Sequence, residues 1–500
     1  MARKRQERTQ APIAPPSTSA PASPWILDRP RDLLLLVGAP LWIAPLVYVV
    51  AMTVGDRAVN DWVLALGAIG HHVPGLLRAY GDRALRRRFA LRFALAPLFL
   101  GALCLGLAFA GLHAMMLIAF AWGVWHALMQ TYGFARIYGG KAGVTRLAGR
   151  LDLALLGTWF AAGVILSPLR LHFLLDVGAT CGVPLPSPSL LLALRVIVGA
   201  ATIAATLAWL IATAVALRRR SPVSAPRVIL LVSSIAFWCF ANVRVRHPLL
   251  GMPLFEIFHD AQYLAIVWAF NRRRVDAAPT EVTSLVRALF RPRALSLVAY
   301  VAIVIAYGAL GLVAPTGPLG TTMNALLTAS QLLHFYYDGF IWRVREPATG
   351  SVLGLRESGA RAVPRLGHAL TWSLLLVPSL GFAWGEARAS IPIRERIPTL
   401  AALFPESPLA QFPAAELHWE RKEVDEALEG FRRTLALDPS YLTARENLAL
   451  SLGELADRAA AAGNFSQANA YIRELDAVRG GLRGEQARWA AEFIARHPTR

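Results

Sequence analysis

Long apolar runs dominate the first 390 residues, and short polar, Arg-rich stretches separate them. A helix needs roughly 20 apolar residues to cross the hydrocarbon core of a bilayer. Runs of that length are expected near 33–54, 60–79, 91–110, 112–135, 152–170, 188–216, 227–244, 249–270, 294–313, 321–341 and 366–385. The fold class that follows is all-α: a polytopic transmembrane bundle of about eleven spans over residues 31–390.

Beyond about residue 400 the apolar runs give way to an amphipathic helical pattern. Residues 400–500 are expected to form a soluble helical region. Ala427, Phe431 and Pro439 resemble the tetratricopeptide pattern of small residue, aromatic and helix-ending proline, with Ala468 in the place of Ala427 in a second repeat. The offset between these two alanines exceeds the usual period of about 34, so an insertion is expected. The usual Trp and Gly of the first helix are not in register, and a plain helical bundle is the alternative. Such a region would bind a protein partner or pack on the membrane domain. At the other end, residues 1–30 are basic and then rich in Pro, Ala and Ser, which reads as a disordered tail rather than a signal peptide.

Composition sharpens this picture. Hydrophobic residues make up 55% of the chain, and mean hydropathy is +0.45. Charged residues are 17%, against about 25% in soluble domains. The net charge of +19 does not point to nucleic acid, because most Lys and Arg lie in short clusters between apolar runs and no binding motif accompanies them. Cys104, Cys181 and Cys239 are far apart and support neither a disulfide framework nor a zinc ribbon.

The basic clusters also give a direction. With the N-terminus inside, every second loop is Arg-rich, as cytoplasmic loops are. Arg244 and Arg246 are the exception. Eleven spans then place the C-terminal region outside, and the expected location is a bacterial inner membrane with that region in the periplasm.

Ionisable residues inside spans each cost several kcal/mol unless paired, and so are functional candidates. His71, His72, His126, Glu256, His259, Asp260 and His334 with Asp338 fall within expected spans, along with Gln130, Gln262 and Gln331. The spans that carry them all run inward. His72, His126, His259 and His334 precede Arg78, Arg136, Arg272 and Arg343 by six to thirteen residues. At about 1.5 Å per residue this puts them roughly 9–20 Å from the first basic side chain, in one layer. Those arginines read as cytoplasmic anchors. His113, His172, His247 and His368 lie at span ends or in loops, and His418 and His497 in the soluble region. Tyr132, Tyr138, Tyr263, Tyr336, Tyr337, Trp268 and Trp342 read as interface or packing aromatics.

Spacing adds chemistry. Glu256 and His259 are i, i+3, while His126–Gln130 and His334–Asp338 are i, i+4, so each pair shares a helix face. Glu-x-x-His is a ligand pair in di-iron helical bundles. Imidazole with carboxylate suits iron, zinc or manganese. The candidate metal ligands are therefore His71, His72, His126, His259 and His334, with Glu256 and Asp338 as ligands or proton handlers. Asp260, Asp338 or a Gln can fix a ring tautomer.

The array of separated intramembrane His resembles the Brp/Blh family of bacterial membrane carotene oxygenases. The resemblance rests on His72, His126, His259 and His334 in a polytopic chain. It implies a membrane enzyme that uses non-haem iron on a lipophilic substrate. This chain is longer, with an added C-terminal helical region, and it lacks the clustered His boxes of membrane desaturases.

Two other readings compete. Some polyprenyl-linked glycosyltransferases have about eleven spans and an external tetratricopeptide region, and act through acidic residues in the first external loop. Here that loop offers Asp56 and Asp61 but is short. A transporter or membrane scaffold could use the same His and carboxylates as a proton relay. A bis-His haem protein is a further possibility.

Overall fold

The computed structural model describes residues 23–245, 248–313, 315–343, 347–355 and 365–497. Most of the expected tail, His247 and the side chain of His368 lie outside the described residues. All regular structure among the described residues is helical. The single extended pairing among them is an isolated antiparallel bridge between Asp82 and Val282.

The helices that matter to the site begin with α1 (Pro40–Val54), α2 (Asp56–Trp62), α3 (His72–Gly81), α4 (Ala90–Phe109) and α5 (Ala114–Ala142). They continue with α6 (Arg146–Ile165), α7 (Pro168–Thr180), α8 (Pro188–Arg218), α9 (Ala225–Cys239) and α10 (Pro248–Ala277). The membrane part closes with α11 (Ala294–Gly308), α12 (Gly317–Ile341) and α13 (Arg365–Ala389). Among the described residues, six helical stretches are long and apolar enough to cross a membrane: Ala90–Phe109, Ala114–Ala142, Arg146–Ile165, Pro188–Arg218, Ala225–Arg244 and Ala294–Gly311. Arg29–Val37 and Pro40–Val54 meet the same test only when taken together across a 53° bend, as a broken span or a re-entrant loop. The chain is a membrane protein by these helices.

The remaining expected spans also appear as helices, but of another character. α10 has 30 residues and α12 has 25, ample length for a span. Polar side chains lower their hydropathy: Glu256, His259, Asp260 and Gln262 on α10, and Asn324, Gln331, His334 and Asp338 on α12. The expected run at 60–79 is interrupted. A wide π-helical stretch, Val63–Ile69, follows α2, and α3 restarts at His72.

The two largest apolar clusters among the described residues hold most of the membrane part. One joins α1, α5, α6, α9 and α10 through Ile43, Leu128, Phe160, Trp238 and Phe258. The other joins α4, α5 and α12 through Phe93, Leu100, Ile118, Leu332 and Tyr337. α5 belongs to both, so His126 sits at the seam between them. Burying each large side chain of this kind is worth about 1.5–3 kcal/mol in water. In lipid the gain comes chiefly from close packing.

Buried charge adds rigidity at the edges. Asp152, fully buried on α6, receives Nε of Arg227 at 2.7 Å and Nε1 of Trp209 at 2.9 Å. Asp32 accepts the hydroxyl of Tyr138 at 2.7 Å and two backbone N–H groups, from Ile26 and Leu27. Tyr138 is thus a buried partner of a carboxylate, not an interface aromatic.

After α14 (Ile393–Leu403), the C-terminal region contains α15 (Pro408–Glu420) paired with α16 (Val424–Leu437). α17 (Leu442–Ala461) pairs with α18 (Phe465–Arg479), and α19 (Gly484–Arg496) closes the array. Ala427 and Ala468 are buried in the first turn of the second helix of each hairpin, and Phe431 is buried one turn beyond Ala427. α17 has 20 residues where α15 has 13, and those two extra turns account for the long offset between the alanines.

A candidate metal centre of four histidines

The candidate side chains arrive on separate elements. His71 stands at the junction between the π-helical stretch and α3, and His72 opens α3. α5 brings His126, α10 brings His259 and α12 brings His334. Both 259 and 334 lie mid-helix on inward faces, and all five rings are at least nine-tenths buried.

Four of them close a circle. His71, His126, His259 and His334 each offer a ring nitrogen within 4.8 Å of the others. Neighbouring ring centroids around it are 4.7 Å (His71–His334), 4.7 Å (His334–His126), 5.0 Å (His126–His259) and 5.1 Å (His259–His71). All four contacts are edge to face. Nε2 of His334 lies 3.1 Å from Nε2 of His126. Nε2 of His71 and Nδ1 of His334 are buried without a hydrogen-bond partner. Orphaned ring nitrogens are costly in an apolar interior. A cation among them would satisfy the set, since neutral imidazole is a common ligand for transition metals. Metal binding by these residues fits the geometry.

His72 is not in that circle, although the layer argument places it there. Its ring stacks on His334 at 5.3 Å and meets His71 at 5.0 Å, but its Nδ1 lies 3.2 Å from Oγ of Ser330. Ser330 in turn accepts the hydroxyl of Tyr307 at 2.6 Å. His71 takes the circle position because the chain is turned by the helix break just before it. Sequence spacing cannot show that break, so adjacent histidines cannot be told apart from spacing alone.

The carboxylates divide between two sides. Asp338 accepts the hydroxyl of Tyr263 at 2.9 Å and Nε1 of Trp342 at 3.2 Å. Its other oxygen is 3.9 Å from Nε2 of His334, too far for a hydrogen bond. Asp338 therefore does not fix the tautomer of His334. On the opposite side, Oδ1 of Asp260 is 2.8 Å from Nδ1 of His71, yet neither oxygen of Asp260 accepts a well-aligned hydrogen bond. Glu256, His71 and Asp260 form a second group whose ligand atoms lie within 4.8 Å of one another.

Two glycines make room for these polar atoms. A Cβ on Gly75 would stand 2.6 Å from Oη of Tyr263 and 3.2 Å from Nδ1 of His334. A Cβ on Gly67 would collide with Oδ2 of Asp260. Both positions need glycine for close approach rather than for an unusual backbone.

Glutamines brace the site. Nε2 of Gln130 donates to the carbonyl of His259 at 2.9 Å and lies 3.3 Å from Oε1 of Gln262. Nε2 of Gln262 donates to the carbonyl of Leu36 at 2.6 Å. The i, i+4 pairing of Gln130 with His126 thus orders the backbone of α10 and does not touch the His126 ring.

Arg78 departs from its expected role as a cytoplasmic anchor. It is buried, with its guanidinium 3.7 Å over the ring of Phe270 and 4.0 Å over that of Trp342, and Nη2 donates to the carbonyl of Ile341 at 2.7 Å. Arg272 is exposed, as an anchor would be. Of the histidines set aside, His113 contacts Glu386 at 2.9 Å and His418 contacts Glu423 at 2.6 Å, both on partly open surfaces. Asp61 lies 3.9 Å from Arg57 on the exposed α2.

Sequence reasoning missed Tyr263, Ser330 and Tyr307 as working neighbours of the circle. Tyr263 and Ser330 are each one turn from a site histidine, at His259 plus four and His334 minus four. That helical spacing was the available signal. Compared with protein-family models, with curated proteins and with solved structures, the chain matches none.

Proposed function

We propose that this protein is a membrane-embedded metal-dependent enzyme, a non-haem iron oxygenase acting on a lipophilic substrate. The carrying observation is the convergence of His71, His126, His259 and His334 from four separate helical elements, with mutual ligand distances within 4.8 Å. An iron ion held there would supply Lewis acidity and an open position for oxygen chemistry. Zinc or manganese are the competing metals. The four rings abut one another and leave no slot for a flat macrocycle, which disfavours a bis-His haem.

The chain's own residues supply the rest. The phenol of Tyr263 and the indole of Trp342 hold the Asp338 carboxylate in place beside His334, where it can take up or deliver a proton. An open groove of about 410 Å³ runs along α3, lined by Val73, Leu76, Leu77 and Leu285 among others. Its lining is almost wholly apolar, which suits a lipid-like chain, and it begins at Val73, next to His72, without including a residue of the circle.

The finer topology belongs to the same reading. The run at 60–79, which ends in α3, together with α10, α12 and α13, would be inserted along with the six strongly apolar stretches and the bent N-terminal pair, giving about eleven spans in a bacterial inner membrane. The N-terminus would be cytoplasmic. The C-terminal hairpins would be tetratricopeptide-like, periplasmic, and suited to a protein partner.

Metal analysis of detergent-purified full-length protein tests the proposal. About one or more equivalents of iron, lost when the four His are replaced by Ala, supports it. Metal well below one equivalent, unchanged by those replacements, overturns it.

A further inference from the structure

The carboxylate side of the circle poses a separate problem. Glu256 and Asp260 lie i, i+4 on α10, and His71 completes a group within 4.8 Å. Asp260 is 5% exposed and His71 2%, and both Asp260 oxygens lack a hydrogen bond. Burying two carboxylates together requires compensation. Arg170 supplies one positive charge electrostatically on the Glu256 side, while its Nε is held by Asn242 at 2.6 Å.

The His71 ring has a nitrogen for each side. Nε2 is buried without a hydrogen-bond partner, while Nδ1 lies 2.8 Å from Oδ1 of Asp260 and 3.2 Å from the carbonyl of Gly67. A cation on the Nδ1 side would satisfy the unpartnered Asp260 oxygens and offset both carboxylates. With an ion on each nitrogen the ring bridges them as an imidazolate, and its N–H proton leaves to solvent as the second ion binds.

We infer that the protein holds a second divalent metal ion at His71, Glu256 and Asp260, beside the ion of the four-histidine circle. The inference rests on metal occupying that circle. Its ligand set is oxygen-rich, which suits manganese or iron over copper. α10 then serves both ions, with Glu256 and Asp260 on one and His259 on the other.

The test is a stoichiometry. Full-length protein in detergent, stripped with chelator, is titrated with Mn(II), and bound metal is counted by atomic spectrometry after desalting. Two equivalents per chain are expected, with spin coupling between them in the electron paramagnetic resonance spectrum. Asp260→Asn and Glu256→Gln should each reduce this to one equivalent and abolish the coupling. One equivalent in the wild-type chain overturns the second site, whatever the variants do, and leaves the four-histidine proposal standing. No bound metal in the wild-type chain overturns both. The wild-type count alone decides the matter if a variant fails to fold.

Discussion

His126 and His334 are 208 residues apart in the chain, and their Nε2 atoms are 3.1 Å apart in the fold. Two ring nitrogens at that distance must share a proton or a cation. If they share a cation, each ring is a ligand and neither is replaceable. His126→Ala and His334→Ala should each lower metal affinity at least 10-fold, whereas His72→Ala, which removes only a ring stacked outside the circle, should leave stoichiometry unchanged. Metal titration of the purified variants checks this, and equal losses in all three would make the circle the wrong set.

Gly75 offers a sharper probe, because it carries no ligand. A methyl group there would stand 2.6 Å from the Tyr263 hydroxyl and 3.2 Å from Nδ1 of His334. Disturbing groups that orient ligands typically costs 10–100-fold in metal affinity. Gly75→Ala should show a loss in that range with the helical circular dichroism unchanged. The double variant Gly75→Ala with Tyr263→Phe should recover part of the loss, since the nearest clashing oxygen is gone.

The buried pair of Asp152 and Arg227 makes a prediction about stability alone. Removing one partner of a buried pair leaves an uncompensated charge and costs about 3–5 kcal/mol. Asp152→Ala should therefore lower the thermal midpoint in detergent substantially. Asp152→Ala with Arg227→Met should be more stable than the single variant. Metal stoichiometry of whatever remains folded should not change, because α6 contributes no ligand.

In the C-terminal region, burial pushes the Glu416 carboxyl above its usual range, and the Asn447 amide that donates to it at 3.0 Å only partly offsets this. A raised carboxyl favours the fold while protonated, below the unfolded value near 4.3. That contribution is lost as pH rises through the folded value. Glu416→Gln should accordingly unfold at a higher temperature than wild type at pH 7.5, with the difference shrinking at pH 4. Scanning calorimetry of the full chain at the two pH values reads it directly.

The helical class and most helix positions were legible because apolar runs of span length have few other uses. The five histidines were legible for the same reason: an imidazole in such a run is conspicuous. What the sequence could not show was depth of burial at run ends. Arg78 reads as an anchor because it follows an apolar run, yet Phe270 and Trp342 enclose it. Asp152 and Asp32 lie at the margins of runs and reveal their partners only in three dimensions. The choice between His71 and His72 turns on a local widening of the helix before Gly70, which no periodicity announces.

The Gln130–Gln262 contact and the hold of Gln262 on Leu36 have a consequence for biogenesis. They tie the entry of the chain to its middle, and His334 arrives far later. Until α12 is in place, the circle lacks His334 and is open on that side. A captured ion would then act as a checkpoint on assembly, since only a chain with its first, middle and late helices all in place can hold it.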